Sequence, residues 1–358
     1  MKKKKILFLL PNLEAGGAER VLINYTRILD AAKYEMTLII INDYGDLQNY
    51  IPGHVKLVNL NIKRSRYAFL KLIQATNSIQ PDYIFSSTNR TNILLLLIKP
   101  FLKGSPKIII REPSSPKALY ETKYLKKYYK LLSCFLYPRA NKIIAQTESM
   151  KNEIERIYHI NDRKVINIQN PLDTNYINSS LKQSKNPFNC STTNIVAAGR
   201  LRKIKGFDIL IKSFKKVLAS DENFRLYILG KKTGTESCTQ ELEKLIKTLN
   251  LQKFVKLIGH KKNPYPYYKN ADLFVLSSRW EGMPNVVLEN LYLGTPVVAT
   301  RCVPILSELI HDGENGKLVD IGNTDQMAVA ILNYSKYTDV FPIRSSNEEI
   351  ENLFNQIK

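Results

Sequence analysis

Patterns that would by themselves assign a metal site or a membrane span are missing from this sequence of 358 residues. Its four cysteines are far apart, without a Cys-x-x-Cys pair, so we expect reduced thiols in the cytosol and no metal site. The apolar runs at residues 6–10 and 93–98 end far short of the roughly 20 residues that a membrane span requires. Although lysines precede the first run, we expect a β-strand there rather than a signal peptide.

Acidic residues are few, and the shortage is uneven. The chain has 53 Lys and Arg against 32 Asp and Glu, a formal charge of +21. Residues 1–175 have 28 basic and 14 acidic residues (+14), and residues 176–358 have 25 and 18 (+7). This balance indicates anionic partners: phosphates, nucleic acid or an acidic membrane surface.

Short apolar runs alternate with helical patterns along nearly the whole chain. This alternation predicts an α/β protein whose parallel sheets carry helices on both faces and bind ligands at the carboxyl ends of their strands. We expect one domain over residues 1–173, a polar linker over 174–193, and a second domain over 194–341.

Residues 271–301 are typical of strand, loop, helix and strand in succession. Backbone N–H groups at the start of this helix would lack helical partners, and the helix dipole would favour an anion there. The residues expected at this anion site are Gly282, Met283, Pro284 (in the first turn), Asn285 and Val286.

Two carboxylates bracket this predicted anion site. Glu281 lies in the loop, and Glu289 lies one helical turn inside, on the face of Asn285 and Val286. Carboxylates beside a phosphate site favour a ligand with hydroxyl groups, which a sugar provides. The alternative is a surface glutamate and a solvated helical one.

Two glycine-containing loops follow other predicted strands. Gly16-Gly17 comes after the first strand, where glycine lets the backbone approach a ligand, although a simple tight turn is the alternative. Residues 199–206 (GRLRKIKG) form a basic loop at the start of the second domain. This loop is either an anion site or simply solvated.

These motifs together resemble one family. The strings GGAER, GRL…KG and EGMPNVVLEN, the last spanning Glu281 and Glu289 as E-x7-E, are similar to the retaining glycosyltransferases of family four. The resemblance implies the GT-B fold, in which two Rossmann-like domains face each other across a cleft. It also implies that a C-terminal helix, at about residues 342–358, packs back on the first domain.

The resemblance also implies roles for single residues. Glu281 would lie near the donor sugar and diphosphate, and Glu289 would hold the ribose hydroxyls. Arg200 and Lys205 would bind the diphosphate, so the residues expected to act in catalysis are Arg200, Lys205 and Glu281. Gly16 and Gly17 would face the diphosphate from the first domain. No enzyme carboxylate is expected to bond to the sugar, and the catalytic base is unassigned.

The activity implied is transfer of a sugar, with retention, from a nucleotide-sugar (we expect a UDP-sugar) to an acceptor hydroxyl. No Asp-x-Asp pair occurs, and we expect neither metal nor other cofactor. The positive first domain fits a lipid-linked glycan acceptor at the inner face of a bacterial membrane, as in assembly of surface polysaccharide, lipopolysaccharide or oligosaccharide. The partners would then be donor, acceptor and anionic membrane, with no nucleic acid.

Some positions depart from the family pattern. Arg111-Glu112 stands where many relatives have a histidine, so these residues either contact the sugar or acceptor or form a structural ion pair. Gly230, before two lysines, and His260 lie where relatives bind the base. A plain surface histidine is the alternative for His260.

Residues 117–139 have five lysines, a final arginine and five tyrosines among leucines. Such a helix is suited to the surface of an anionic membrane, with Lys123, Lys126, Lys127 and Lys130 as the membrane contacts. The alternative is a solvated helix whose leucines face the core.

Two other functions fit parts of the sequence. A nucleotide-sugar epimerase of the same double-Rossmann shape would need no acceptor. A nucleic-acid-binding protein would explain the charge of +21 but would leave Glu281 and Glu289 unexplained.

Overall fold

The computed structural model divides the chain into two compact units, Met1–Asp173 with Ser345–Lys358, and Thr174–Arg344. It describes residues 3–14, 17–42, 45, 47–62, 67–116, 124–182, 184–188, 191–231, 237–337 and 347–356. Within these ranges, no helix combines the length and the apolar character that crossing a membrane requires.

A parallel sheet forms the centre of the first unit. Its strands are β1 (Lys4–Leu10), β2 (Tyr34–Ile40), β3 (Lys56–Asn59), β4 (Tyr83–Ser86), β5 (Lys107–Arg111), β6 (Lys142–Ala145) and β7 (Val165–Asn167). Among the described residues their order is β3-β2-β1-β4-β5-β6-β7, with every pairing parallel. Most central residues are buried, as expected where helices cover both faces of a sheet.

Helices cover both faces of this sheet. They are α1 (Gly17–Ile28), α2 (Phe69–Ile79), α3 (Asn89–Ile98), α4 (Tyr124–Leu136) and α5 (Glu148–Tyr158). Residues of α2 to α5 share one apolar core with the sheet, and α1 contributes to the core on the other face. The side chains of Thr88 and Thr147 cap α3 and α5 by accepting the N–H of Thr91 and Met150.

The second unit has the same construction. It begins with α6 (Thr174–Leu181) and contains β8 (Thr193–Ala198), β9 (Phe224–Leu229), β10 (Val255–Gly259), β11 (Leu273–Leu276), β12 (Val297–Thr300) and β13 (Gly316–Val319). The helices that follow these strands, one after each, are α7 (Phe207–Ser220), α8 (Thr239–Thr248), α9 (Tyr265–Lys269), α10 (Asn285–Tyr292), α11 (Leu306–Leu309) and α12 (Thr324–Leu332). The described strands pair in parallel in the order β10-β9-β8-β11-β12-β13.

The C-terminal helix α13 (Asn347–Gln356) belongs to the first unit. Its residues Ile350, Leu353 and Phe354 are buried in the same core as α1. The hydroxyl of Tyr83 donates to the carbonyl oxygen of Phe354 at 2.9 Å, and the two rings meet edge to face. The last helix therefore stabilises the first unit through apolar burial and a buried hydrogen bond.

The segment 174–193, expected to be a linker, instead contains α6, which belongs to the second unit. Ile177 is buried, and the ring of Tyr176 lies 6.2 Å from that of Tyr265 on α9. Asn178 Nδ2 donates to the hydroxyl of Tyr292 at 2.8 Å. Packing of a few side chains thus holds a helix in a stretch whose composition is typical of a loop.

Both sheets have a point where the strand order reverses direction. In the first unit it lies between β1 and β4, and in the second between β8 and β11. The loops after such strands diverge to opposite faces and leave a crevice at the carboxyl ends, where α/β proteins bind ligands. The basic loop 199–206 follows β8, and the loop containing Glu281 follows β11.

Candidate functional site

The two loops at the β8–β11 crevice approach each other very closely. Gly206 has φ of +64° and follows a 3-10 turn over Lys203–Lys205. A Cβ atom at Gly206 would lie 1.9 Å from the carbonyl oxygen of Ser277, which no side chain can tolerate. Glycine is therefore required here both for the left-handed backbone and for the contact between the loops.

Lys205 and Glu281 meet where the loops come together. Lys205 Nζ lies 2.5 Å from Glu281 Oε1, and the hydroxyl of Ser278 donates to the same oxygen at 2.6 Å. Their side chains are only 20% and 12% exposed, so this is a partly buried, charge-assisted hydrogen bond. The structure thus brings together two of the three residues expected to act in catalysis.

Two other basic residues of the loop do not pair with Glu281 among the described ion pairs. Lys203 Nζ lies 3.3 Å from Glu241 on α8, and both side chains are exposed. Arg200 is also exposed, directly after β8 at the crevice. Of the two loop lysines, Lys205 is the one directed at Glu281.

The start of α10 is less open than predicted. The backbone N–H of Asn285 donates to the carbonyl oxygen of Met283 at 3.0 Å, so it is not one of the groups left over for an anion. Pro284 precedes the helix at the N-cap position rather than lying in its first turn. Gly282 and Val286 are half-buried beside them. The start of α10 therefore has one free backbone N–H group fewer for an anion than the sequence predicted.

Glu289 is buried inside α10. It is 4% exposed, and its helix neighbours Val287 and Leu288 are fully buried. Glutamate is rarely buried to this degree in proteins. The alternative of a solvated surface carboxylate is therefore wrong for Glu289.

Gly230 and His260 lie at the same edge of the sheet. Gly230 follows β9, and its N–H donates to the carbonyl oxygen of Gly259 at 3.0 Å. His260 is exposed and follows β10, the outermost strand on this side. Since neighbouring strands are about 4.8 Å apart, these residues lie roughly 5 and 10 Å along the edge from β8. A nucleoside is of similar size to these two separations, so it would reach Gly230 and His260 if the phosphates of the same ligand lay at Lys205.

In the first unit, Arg111 and Glu112 are completely buried, at 1% and 0% exposure. Among the residues that the structure describes, these two do not form an ion pair with each other. Arg111 donates to the Ser87 hydroxyl at 3.0 Å and to Asn170 Oδ1 at 2.5 Å. Burial lowers the pKa of Arg111 to about 10. The alternative of an ion pair between neighbours is therefore wrong, and Arg111 instead binds residues that follow β4 and β7.

Glu112 has a separate set of partners. The hydroxyl of Tyr137, just after α4, donates to Glu112 Oε2 at 2.8 Å, and Gln146 Nε2 donates to its carbonyl oxygen at 2.7 Å. Burial raises the pKa of Glu112 to about 8, although the Tyr137 hydrogen bond and the charge of Arg111 oppose the rise. Glu112 is therefore mainly protonated at neutral pH.

Replacement of Glu112 by glutamine is expected to remove a pH-dependent loss of stability. Between the usual pKa near 4.5 and about 8, the unfolded chain releases a proton that the folded protein keeps. This carboxyl group therefore destabilises the fold increasingly as pH rises through that window. The variant should melt several degrees above the wild type at about pH 9 and close to it at about pH 5.

Thermal unfolding at a series of pH values tests this expectation. Glu314→Gln, at an exposed position of the second unit, is the control and should follow the wild type at every pH. Parallel pH curves for the wild type and Glu112→Gln would show that Glu112 does not retain its proton.

The structure describes only some of the remaining residues that were predicted to contact the ligand or the membrane. Gly17 begins α1 after β1, whereas Gly16 and Lys123 lie outside the described residues. Lys126 and Lys127 are on α4, in a stretch whose side chains the structure does not describe. Lys130 is exposed on the same helix.

Arg279 and Asp208 connect the two loops of the crevice and were not predicted from the sequence. Arg279 Nη1 and Nη2 donate to the two carboxylate oxygens of Asp208 at 2.8 and 2.7 Å. Each residue alone is typical of a solvated surface.

Within the described residues, no group of three or more His, Cys, Asp and Glu could hold a metal ion.

Two family models match the chain, largely one on each unit. Residues 15–176 match the model described as Glycosyltransferase Family 4. Residues 192–336 match the model described as Glycosyl transferases group 1.

Relatives of the whole chain carry related names. It is 28% identical over 336 residues to N-acetylgalactosamine-N,N'-diacetylbacillosaminyl-diphospho-undecaprenol 4-alpha-N-acetylgalactosaminyltransferase of Campylobacter jejuni, covering 90% of this chain and 88% of that protein. It is 28% identical over 325 residues to the lipopolysaccharide core biosynthesis glycosyltransferase LpsE of Rhizobium meliloti, covering 88% and 84%. The fold is similar to that of HepE from Anabaena, solved in complex with UDP, with TM-score 0.78, 19% identity and coverage of 98% and 99%.

Proposed function

Because the chain belongs to the group 1, or family four, glycosyltransferases, we propose that it transfers a sugar from a UDP-sugar to a lipid-linked glycan. It is a nucleotide-sugar glycosyltransferase of a retaining family and has the GT-B fold. The identity of the nucleotide, the acceptor and the roles of single residues are part of the proposal.

The observation that carries the proposal is the pairing of Lys205 with Glu281 in the loop before α10, the helix in which Glu289 is buried. In the proposed complex, the donor diphosphate replaces Glu281 as the partner of Lys205. Glu281 then accepts hydrogen bonds from sugar hydroxyls, and Glu289 accepts them from the ribose. Arg200, exposed at the same strand end, supplies a second positive charge to the diphosphate.

The reaction places negative charge next to these cations. The bond between the anomeric carbon and the diphosphate oxygen breaks, and the acceptor oxygen bonds to the same face of that carbon. The acceptor proton passes to the departing phosphate oxygen, so no enzyme carboxylate bonds to the sugar. A fixed ammonium near the leaving oxygen stabilises the transition state more than the ground state, because charge grows there during the reaction.

Nucleotide binding and transfer are tested in sequence. UDP, and more weakly ADP, GDP and CDP, should raise the melting temperature, because a ligand that binds only the folded state stabilises it. UDP-sugars are then incubated with undecaprenyl-diphosphate-linked glycans, and the products are analysed by mass spectrometry. A changed sugar on the donor in the absence of acceptor would instead indicate an epimerase. Binding of none of these nucleotides would refute the proposal.

The acceptor proposal is supported by the charge of the first unit. Residues 89–139 include 11 basic and 2 acidic residues, and one of the acids, Glu112, is buried. On α4, Leu131 and Phe135 are 69% and 65% exposed, and the Arg139 guanidinium lies 4.5 Å from the centre of the Phe135 ring. Exposed apolar side chains among cations fit the surface of an anionic membrane. We therefore propose that the enzyme acts at the inner face of the cell membrane.

The cations near the end of α3 extend this surface. The pKa of Lys99 is lowered by burial and then by the positive charges of Lys164, Lys107 and Arg139. Phe101, two residues further along the chain, is 57% exposed. Cations that repel one another in this way gain stability from an anionic partner such as a phospholipid headgroup.

Replacement of both Leu131 and Phe135 by serine is expected to weaken vesicle binding by about tenfold or more, since each apolar side chain contributes about 1.5–3 kcal/mol when buried. The wild type should sediment with phosphatidylglycerol vesicles at low salt, less at high salt, and hardly at all with phosphatidylcholine. Val329→Ser, at a site 58% exposed in the second unit, is the control and should bind like the wild type. Absence of sedimentation at low salt would exclude the membrane contact.

A further inference from the structure

Arg279 connects the two loops of the crevice in the second unit. It lies between β11 and α10, two residues before Glu281, and its guanidinium binds both carboxylate oxygens of Asp208 at 2.8 and 2.7 Å. Asp208 lies in the first turn of α7, directly after the basic loop. Paired N–H groups on both oxygens fix the orientation of the two side chains as well as their distance.

The same residue also binds the basic loop through its backbone. Arg279 Nη1 donates to the carbonyl oxygen of Lys203 at 2.5 Å, and the Arg279 N–H donates to that of Ile204 at 2.8 Å. Ser277 Oγ donates to the carbonyl oxygen of Lys205 at 2.9 Å. The loop holding Lys205 is therefore attached to the loop holding Glu281 by successive hydrogen bonds. We call Arg279 and Asp208 the loop clamp.

The loop clamp is stronger than an ordinary surface ion pair. Exposed pairs usually contribute little because solvent screens them and long side chains lose entropy. Here the pairing is bidentate and the guanidinium also binds a carbonyl group. Partial burial by itself would raise the pKa of Asp208, but the hydrogen bonds and charge of Arg279, together with a backbone hydrogen bond and the charge of Lys212, lower that pKa overall. The hydrogen bonds that Arg279 donates to Asp208 in turn raise the pKa of Arg279.

We propose that Arg279 and Asp208 are positioning residues that set the separation of Lys205 and Glu281 and thereby the affinity for the donor diphosphate. This inference rests on the proposed function of that site. Neither residue contacts the donor; both act through the loops they join. A displacement of about 1 Å between reacting groups can reduce a rate about 10²-fold, so a weakened clamp acts at a distance from the chemistry.

The test compares Asp208→Asn, Arg279→Lys and the double variant in the full-length protein. UDP affinity is measured by titration calorimetry well below the melting temperature, which is determined for each variant. Each single variant should weaken UDP binding by about tenfold. Because both residues act through one clamp, their effects should not add. The double variant should bind UDP about as well as the single variant with the lower UDP affinity.

Lys216 and Asp325 provide a matched control. This ion pair joins α7 to α12 at 2.6 Å, with both side chains exposed, and lies outside the crevice loops. Asp325→Asn should leave UDP affinity unchanged. A merely structural clamp would lower the melting temperature of Asp208→Asn without changing UDP affinity, and that result would overturn the inference.

Hydrogen exchange gives a reading that does not depend on the nucleotide. In the folded protein the N–H groups of Lys205 and Gly206 donate to the carbonyl oxygens of Arg202 and Lys203. A peptide covering residues 199–207 should exchange faster in both clamp variants and normally in Asp325→Asn. Unchanged exchange would overturn the inference. If the wild type fails to bind UDP, the proposed function fails; if it binds and the clamp variants bind equally, only the clamp fails.

Discussion

Replacement of Lys205 by methionine is expected to lower kcat by about 10²–10³, the usual effect of removing one group that stabilises developing negative charge. Lys205 is the loop lysine that pairs with Glu281 at the crevice, with Nζ 2.5 Å from Glu281 Oε1. Methionine keeps a long, flexible side chain and its packing but removes the charge. We expect a smaller effect on KM than on kcat, because the leaving oxygen carries most of its charge in the transition state.

Lys203→Met is the matched control for this experiment. Lys203 is two residues away, on the same 3-10 turn, but its side chain is 76% exposed and reaches Glu241. The kcat of the Lys203→Met variant should stay within about twofold of the wild-type value, since an exposed ion pair contributes little. Initial rates of UDP release, with saturating donor and acceptor, provide the comparison. Equal rates for Lys205→Met and the wild type would remove Lys205 from the catalytic group.

The alternation of strands and helices could be predicted closely from the sequence. Parallel strands covered on both faces must be apolar at nearly every position, so they stand out between polar loops. The strand expected at residues 6–10 is observed as β1, which begins two residues earlier and ends at the same residue. A predicted strand also gives the position of its carboxyl end. The loops of the crevice could therefore be located from the sequence.

Elements held mainly by distant packing could not be predicted. Helix α6 has few apolar residues, and its stability depends on contacts with α9 and with Tyr292, which lie more than 80 residues further along the chain. Asp208 and Arg279 are 71 residues apart, and each is a common surface residue type. Neither composition nor local spacing indicates that they meet.

The arrangement at Arg111 and Glu112 could have been predicted better. Consecutive residues of a strand point to opposite faces of the sheet, so an ion pair between these neighbours is geometrically unfavourable. Arg111 is the last residue of β5, and Glu112 follows it directly. What the sequence could not provide is the set of separate partners, Asn170 for Arg111 and Tyr137 for Glu112.

Replacement of Glu289 by glutamine is expected to weaken UDP binding by about 10- to 100-fold. A hydrogen bond to a charged group contributes about 1.5–3 kcal/mol, and a carboxylate on the ribose would accept such bonds from both hydroxyls. Glutamine keeps the size of this buried side chain while removing its charge, so the core of α10 stays filled. Glu241→Gln, at a position 64% exposed on α8, is the control.

The identity of the ligand separates the role of Glu289 from that of Lys205. Pyrophosphate has no ribose, so Glu289→Gln should leave its affinity unchanged, whereas Lys205→Met should weaken pyrophosphate and UDP alike. The wild type should bind UDP more tightly than 2′-deoxy-UDP, and Glu289→Gln should lose most of that preference, because the missing hydroxyl is one that Glu289 would hold. A variant that weakens all three ligands equally would indicate distortion of α10 rather than lost recognition of the ribose. Retention of the full preference for UDP would assign the ribose to another residue.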